Sequence, residues 1–287
     1  NVILCTGQEP QRELQAALVE AGMRVHLIGG ADVAAELDAK RAIKQGIELA
    51  ASIEKAASAP ALLAGQLPAS PGGAGIPLPQ FDSLRIGLDG QVALVTLNRP
   101  DKANAMNLQM WQDLRAAMQW VDRTPAVRVA VLHGAGANFC AGIDLQMMMG
   151  ILPMVKDACE ARTRENLRNL ILDLQDTLTS LERCRKPVLA AIHGACVGGG
   201  VDLVACADMR YCAAGTYFSV KEVDLGMVAD VGSLQRLPRL IGEGMVRELA
   251  YTGRRVDGAE AGRIGLVNRV FDTPEALMEG VMQLAQA

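Results

Sequence analysis

Only three histidines, His26, His133 and His193, stand in 287 residues. That scarcity argues against a His-built metal site or an imidazole-based triad. The seven cysteines contain no CxxC pair, so the dithiol and zinc-ribbon motifs are missing. Cys5, Cys140, Cys196 and Cys206 sit in apolar runs and are expected to be buried free thiols of a reducing compartment. The longest apolar stretches are interrupted by Gly, His or Asp within about a dozen residues, too short for a membrane-spanning helix. Neither sign of charge dominates: 28 basic residues face 32 acidic ones, a net charge of −4. Nucleic acid and anionic membranes need basic clusters, so both are disfavoured as partners.

What is present is apolar material: 50% of the residues are hydrophobic and 21% charged, enough for a packed core. The length fits about two domains. The chain opens on NVILCTG, without Met, inside an apolar run. With no charged region before that run, it does not read as a signal peptide. It closes on EALMEGVMQLAQA, a helical pattern without a stop signal. A fragment cut at both ends is expected.

The order of patterns divides the chain. Residues 2–6 and 24–30 read as strands, and 11–21 and 33–56 as helices. Together they suggest a βαβα piece of a nucleotide-binding fold over 1–55, too small to be stable alone. Five of the twelve prolines fall between Pro60 and Pro79, and 56–80 reads as a semi-rigid linker. From Phe81 to Ala287 strands and helices alternate in an α/β pattern. Asp89-Gly90 marks a hairpin. Helices are expected at 107–123, 162–183, 233–251 and 257–264. Strands are expected at 128–134, 187–194, 209–213 and 265–271. No GxGxxG fingerprint follows any strand of this half.

Two glycine-rich turns follow buried strands: NFCAGIDL (138–145) and ACVGGGVDL (195–203). At a strand-to-helix turn the backbone N–H groups are unpaired and sit at the positive end of the helix dipole. Two such turns facing each other can hold one oxygen as an oxyanion hole, or the glycines can simply allow close packing. Asp202, Glu222 and Asp230 lie in apolar surroundings. Burial raises a carboxyl pKa and suits it to proton transfer. Each acid also has a structural reading, and Asp230 can cap the helix after it. Asp144 reads as a carboxylate shaping the first turn, and Asp224 as solvated or structural.

NRPDKANAMN (98–107), FCAGIDL (139–145) and HGACVGGGVDL (193–203) occur in the order and spacing of the crotonase (enoyl-CoA hydratase/isomerase) superfamily, which residues 81–287 resemble. Within it, GGGVDL followed by FSVKEVDLGMVADVGSLQRLP (218–238) is most similar to the Δ3,5-Δ2,4-dienoyl-CoA isomerases. The resemblance implies a repeated ββα superhelix. It implies an oxyanion hole of the Ile143 and Gly199 N–H groups, and a CoA cradle of Ala141, Gly142, Ile143, Asp144 and Leu145 with Ala103 and Lys102. Arg99 is a further candidate for CoA phosphate. It implies that Asp230 serves C2 and Glu222 serves C6 of a 3,5-dienoyl-CoA, with Asp202 assisting. A typical hydratase is expected to carry Glu at position 202 and no acid at 230. The alternatives are water addition to a 2-enoyl-CoA by Asp202 and Glu222, or an acyl-CoA-binding module whose activity has lapsed.

Residues 1–46, with GQEP after a strand and the run IGGADVAAELDAKRAI, resemble the C-terminal end of bacterial-type 2,4-dienoyl-CoA reductases. FAD, FMN or NADPH would be bound only with the rest of that reductase. The catalytic half implies no cofactor and no metal, CoA being part of the substrate. The resemblance also implies a homotrimer or hexamer, with C-terminal helices starting near 274. The cytoplasm of a bacterium is expected, or a mitochondrion or peroxisome in a eukaryote.

Overall fold

A computed structural model describes residues 2–4, 19–20, 25–27 and 76–287. The chain forms two compact units, residues 1–69 and 70–287. In the first, β1 (Val2–Leu4) pairs in parallel with β2 (Val25–Leu27), Val2 opposite Val25. Residues 19 and 20 between them are helical. The helix expected over 33–56, most of the linker, Cys5 and the loop after β2 lie outside the described residues.

The second unit is built on a six-stranded sheet of order β11-β8-β6-β5-β4-β3. Its strands are β3 (Leu84–Asp89), β4 (Val92–Leu97), β5 (Val129–Gly134), β6 (Val188–Ile192), β8 (Met209–Ala213) and β11 (Arg269–Phe271). β3 and β4 form the expected hairpin, with Asp89 opposite Val92. Gly90 adopts the left-handed conformation there, φ 58°. The remaining pairings are parallel. Parallel strands covered on both faces need continuous apolar runs, and all five residues of β6 are buried.

Helices cover both faces. α1 (Leu108–Arg123) starts at Asn107, whose side chain accepts the Met110 N–H. α2 (Leu145–Val155) was not legible in the sequence; α3 (Glu160–Glu182) was. Trp111, Leu114, Met118 and Val121 of α1 and Leu178 and Leu181 of α3 join the main core. The second face carries α9 (Pro274–Gln286), which starts where expected. Its Leu277 and Val281 are buried against Val92, Val131, Leu189 and Tyr211 of this chain's own sheet.

A small sheet of order β10-β9-β7 stands beside the main one. It joins β7 (Ala195–Val197), β9 (Tyr217–Ser219) and β10 (Val256–Asp257). α4 (Gly199–Ala205) follows β7 directly. The single helix expected over 233–251 is three: α5 (Ser233–Arg236), α6 (Pro238–Ile241) and α7 (Glu243–Thr252). Pro238 cannot continue α5, and Gly242 at φ 78° turns the chain into α7. α8 (Gly258–Arg263) matches its pattern. The strand expected from 265 starts only at Arg269, because the Leu266 and Val267 N–H groups close onto Ala261 O.

Candidate active site

The three sequence motifs meet in space through backbone hydrogen bonds. Cys140 N donates to Ala195 O and Val197 N to Cys140 O, tying the first glycine turn to the second. Met106 N donates to Gly142 O and Asp144 N to Met106 O, tying the first turn to the 98–107 segment. Ile143 lies between those bonds, and its own N–H takes no partner among the described residues. Gly199 opens α4, where the first N–H groups have no intrahelical acceptor. The two glycine turns touch here: a Cβ placed on Gly199 would stand 3.6 Å from Ile143 N.

Two left-handed glycines make this approach possible. At Gly142, φ 95°, a Cβ would stand 2.8 Å from Val197 O and 3.4 Å from Gly199 N. At Gly198, φ 52°, it would stand 3.2 Å from Glu222 Oε1. A side chain would meet backbone strain at both positions, and at Gly142 also a clash with the Val197 carbonyl. The Ile143 and Gly199 N–H groups are thus adjacent, unpartnered and fixed in position, as an oxyanion site requires.

Asp202 and Glu222 stand near this point, and the Asp230 charge is felt by both. Asp202, on α4, is completely buried. Its Oδ1 accepts the Ser233 N–H at 2.5 Å, and its Oδ2 is buried without a partner. Desolvation, and then the nearby Glu222 charge, push its pKa up to about 7. Glu222 opens the short 3₁₀ turn Glu222–Leu225 and is half-buried. Its Oε2 is also buried without a partner. Desolvation raises its pKa, with the Asp230 charge adding to the effect. Asp230 departs from expectation. It is an exposed residue on the turn before α5, although partial desolvation of its carboxyl still raises its pKa. Nor does it cap that helix: Asp202 reaches across from α4 to hold the first N–H.

Glu222 lines an apolar cavity of about 420 Å³, with Val220, Met227, Leu234, Val246 and Ala250 among its walls. Asp230 borders a different, polar hollow beside α3.

Asp144 takes the architectural role expected. It caps α2 by accepting the Gln146 and Met147 N–H groups and pairs with Arg99 Nη1 at 3.0 Å. Burial pushes its pKa up, but Arg99 and the two amides outweigh that and hold it below the usual range. Arg99 engages Asp144 and the Ala105 carbonyl, both through Nη1. Lys102 is exposed. Ala103 is left-handed, φ 47°, and its carbonyl accepts the Ala141 N–H. Ala141 and Leu145 lie at the surface. Asp224 is exposed and paired with Lys221. Cys140, Cys196, Cys206 and Cys212 are buried free thiols, whereas Cys159 is exposed. Burial pushes the Cys140 thiol up to about 12, which leaves it inert as a nucleophile.

Several supporting residues carried no recognisable pattern. Asn104 is buried; its Nδ2 donates to Ala135 O and Asn138 O, and its Oδ1 accepts the Arg99 N–H. Gln175 reaches the Asp230 carbonyl from 55 residues away, Ser233 N–H reaches Asp202 from 31 away, and Arg236 bonds the nearby Val231 carbonyl. Among the described residues, no cluster of three His, Cys, Asp or Glu stands close enough to hold a metal ion. Among them, too, no helix is long and apolar enough to cross a membrane.

Residues 87–287 match the family model described as enoyl-CoA hydratase/isomerase. The chain is 44% identical over 207 residues to a peroxisomal Delta(3,5)-Delta(2,4)-dienoyl-CoA isomerase of Arabidopsis thaliana, covering 72% of this chain and 74% of that protein. It is 45% identical over 207 residues to the mitochondrial protein of that name from Homo sapiens, covering 71% of this chain. The match spans 63% of the human protein's length. The crystal structure of an enoyl-CoA hydratase from Bacillus anthracis is similar at a TM-score of 0.64 and 32% identity, covering 71% of this chain and 76% of that one.

Proposed function

The chain belongs to the enoyl-CoA hydratase/isomerase family, and within it we propose that this protein converts 3,5-dienoyl-CoA to 2,4-dienoyl-CoA in the β-oxidation of unsaturated fatty acids. The Ile143 and Gly199 N–H groups hold the thioester oxygen, and negative charge gathering there acidifies the C2 proton. Asp230 takes that proton, leaving a dienolate spread from the oxygen to C6. Glu222 delivers a proton to C6, and both double bonds move into conjugation with the carbonyl. One proton leaves and one arrives, so the reaction needs neither a metal nor a redox cofactor, and CoA enters as part of the substrate.

The observation that carries this reading is the position of Glu222, its carboxyl against Gly198, one residue from the Gly199 N–H. The largely apolar cavity beside it offers room for the acyl chain beyond C6, which favours Glu222 as the acid at the distal carbon. Hydration is the second reading, and Asp202 speaks against it. Its side chain is one methylene shorter than the Glu expected of a hydratase, which sets its carboxylate further from a water held at the substrate and weakens that reading. A lapsed binding module has no use for buried, unpartnered carboxylate oxygens on Asp202 and Glu222, because their burial costs stability.

Offering both substrates decides between these. With 3,5-dienoyl-CoA, conjugated-diene absorbance should grow at a catalysed rate. Loss of enoyl absorbance with a 2-enoyl-CoA, and no diene growth, would establish hydration instead. Tight acyl-CoA binding without either change would establish the lapsed module.

Assembly as a homotrimer or hexamer belongs to the same reading, as does the CoA cradle at Ala141 to Leu145 with Ala103 and Lys102. In a bacterium the protein would work in the cytoplasm. In a eukaryote it would work in a peroxisome or mitochondrion, the compartments that the plant and human relatives' names state.

A further inference from the structure

Asp230 sits on a stretch that has almost no backbone support of its own. Between Met227 and Gly232 there is no helix or strand. The Asp230 and Val231 carbonyls take their hydrogen bonds from side chains instead. Gln175 Nε2 donates to Asp230 O at 2.6 Å, and Arg236 Nη1 to Val231 O at 3.4 Å.

Both side chains are referred back to one face of α3. Gln175, Thr179 and Glu182 are spaced four and three residues apart, which stacks them on that face. Arg236 Nη2 donates to Thr179 Oγ1 at 3.2 Å and to Glu182 Oε2 at 2.9 Å, and Nε to the same Glu182 oxygen at 3.1 Å. The guanidinium passes directly over Gly232, φ 135°, where a Cβ would stand 1.8 Å from Nη1. From the other side, Asp202 Oδ1 fixes the Ser233 N–H. The turn carrying Asp230 is thus clamped between α3 and α4, and the α3 side of the clamp does not touch the oxyanion pair.

We infer that Gln175 and Arg236 are positioning residues that set the Asp230 carboxylate for proton transfer through the carbonyls they hold at Asp230 and Val231. The inference rests on the isomerase reading above. A carboxylate on an exposed turn gains a defined place only from what holds the backbone beneath it, and misplacement by about an ångström can cost about a hundredfold in rate.

The test is isomerisation of 3,5-dienoyl-CoA by Gln175→Met and by Arg236→Lys, each alone and combined with Asp230→Asn. Gln175→Met keeps the length and removes the donor. Arg236→Lys keeps the charge beside Glu182 but cannot span to Val231. Each single variant should lower kcat by about 10- to 100-fold, with KM within about twofold and the melting temperature near that of the parent. In the Asp230→Asn background the same changes should cost nothing further, since additivity fails for residues that act through one another. Full kcat in both single variants would overturn the inference. So would an equal loss with and without Asp230, or a loss that follows the melting temperature. A parent protein that does not isomerise the diene would instead overturn the functional reading.

Discussion

The Glu222 carboxyl closes over Gly198: a Cβ added to Gly198 would stand 3.2 Å from Glu222 Oε1, tighter than ordinary van der Waals contact. Gly198 is also left-handed, φ 52°, and passes directly into the Gly199 N–H. One backbone position therefore sets the distance between the acid and the amide donor.

Gly198→Ala should lose isomerase turnover by about 10²-fold or more, the usual cost of spoiling one oxyanion donor. It should also lose about 1 kcal/mol of stability from the left-handed alanine. Gly226 is the matching control, because it too is left-handed, φ 68°, but has nothing within 4 Å of its would-be Cβ. Gly226→Ala should show the strain without the loss of rate. Steady-state kinetics beside urea unfolding of the two variants separates these effects, and equal rates in both would contradict the assignment.

Asp230→Asn and Glu222→Gln should each lower kcat by about 10²- to 10⁴-fold, the range for a general acid or base, with acyl-CoA affinity retained. Asp202→Asn should cost less, because the amide oxygen can still hold the Ser233 N–H. Turnover of 3,5-dienoyl-CoA followed by diene absorbance gives the ranking. A fully active Asp230→Asn protein would remove Asp230 from the mechanism.

Asp202 makes stability depend on pH. Its folded pKa is about 7 against 3.8 for an ordinary aspartate. The folded state therefore holds a proton that the unfolded chain has released. Its contribution is fully present below about pH 4 and is lost as pH rises towards 7. The slope in that window is at most about 1.4 kcal/mol per pH unit. Asp202→Asn removes the titration, so its stability relative to the parent should grow from pH 4 to pH 7. Denaturant unfolding at both values measures this, and a difference that does not change with pH would refute the desolvated carboxyl.

Arg99→Leu leaves Asp144 without its cation and the Ala105 carbonyl without its donor. A loss of about 1–3 kcal/mol is expected, as for a hydrogen bond to a charged group, with a weaker KM because Asp144 shapes the turn carrying Ile143. Lys102→Ala, at an exposed position, should leave stability unchanged and raise KM for the CoA substrate in a salt-sensitive way. Thermal melts and KM at two ionic strengths distinguish the two residues.

Much of this molecule can be read from residue order. Continuous apolar runs announced the parallel strands β5 and β6, since a strand covered on both faces has no polar side to show. Asp89-Gly90 announced the hairpin, and Gly142 and Gly199 announced the turns whose amides meet. These are local signals, carried by backbone conformation and by the two-residue period of a strand. The segment over 233–251 misled, because its apolar spacing is helical throughout while Pro238 and Gly242 divide it.

The sequence by itself determined which groups are available for chemistry: the amides of the paired glycine turns and the three carboxylates, because donors and acids are fixed by residue type. Only the tertiary structure decided how those acids differ. Asp202 became the partner of Ser233 N–H thirty-one residues away, Glu222 was set half-buried against Gly198, and Asp230 was left exposed on a turn tied to α3 through Gln175 and Arg236. Arg99, readable as a phosphate ligand, was also given Asp144 as an ion-pair partner. Burial and hydrogen-bond partners come from chain segments that are distant in sequence, and they decide what each ionisable group can do.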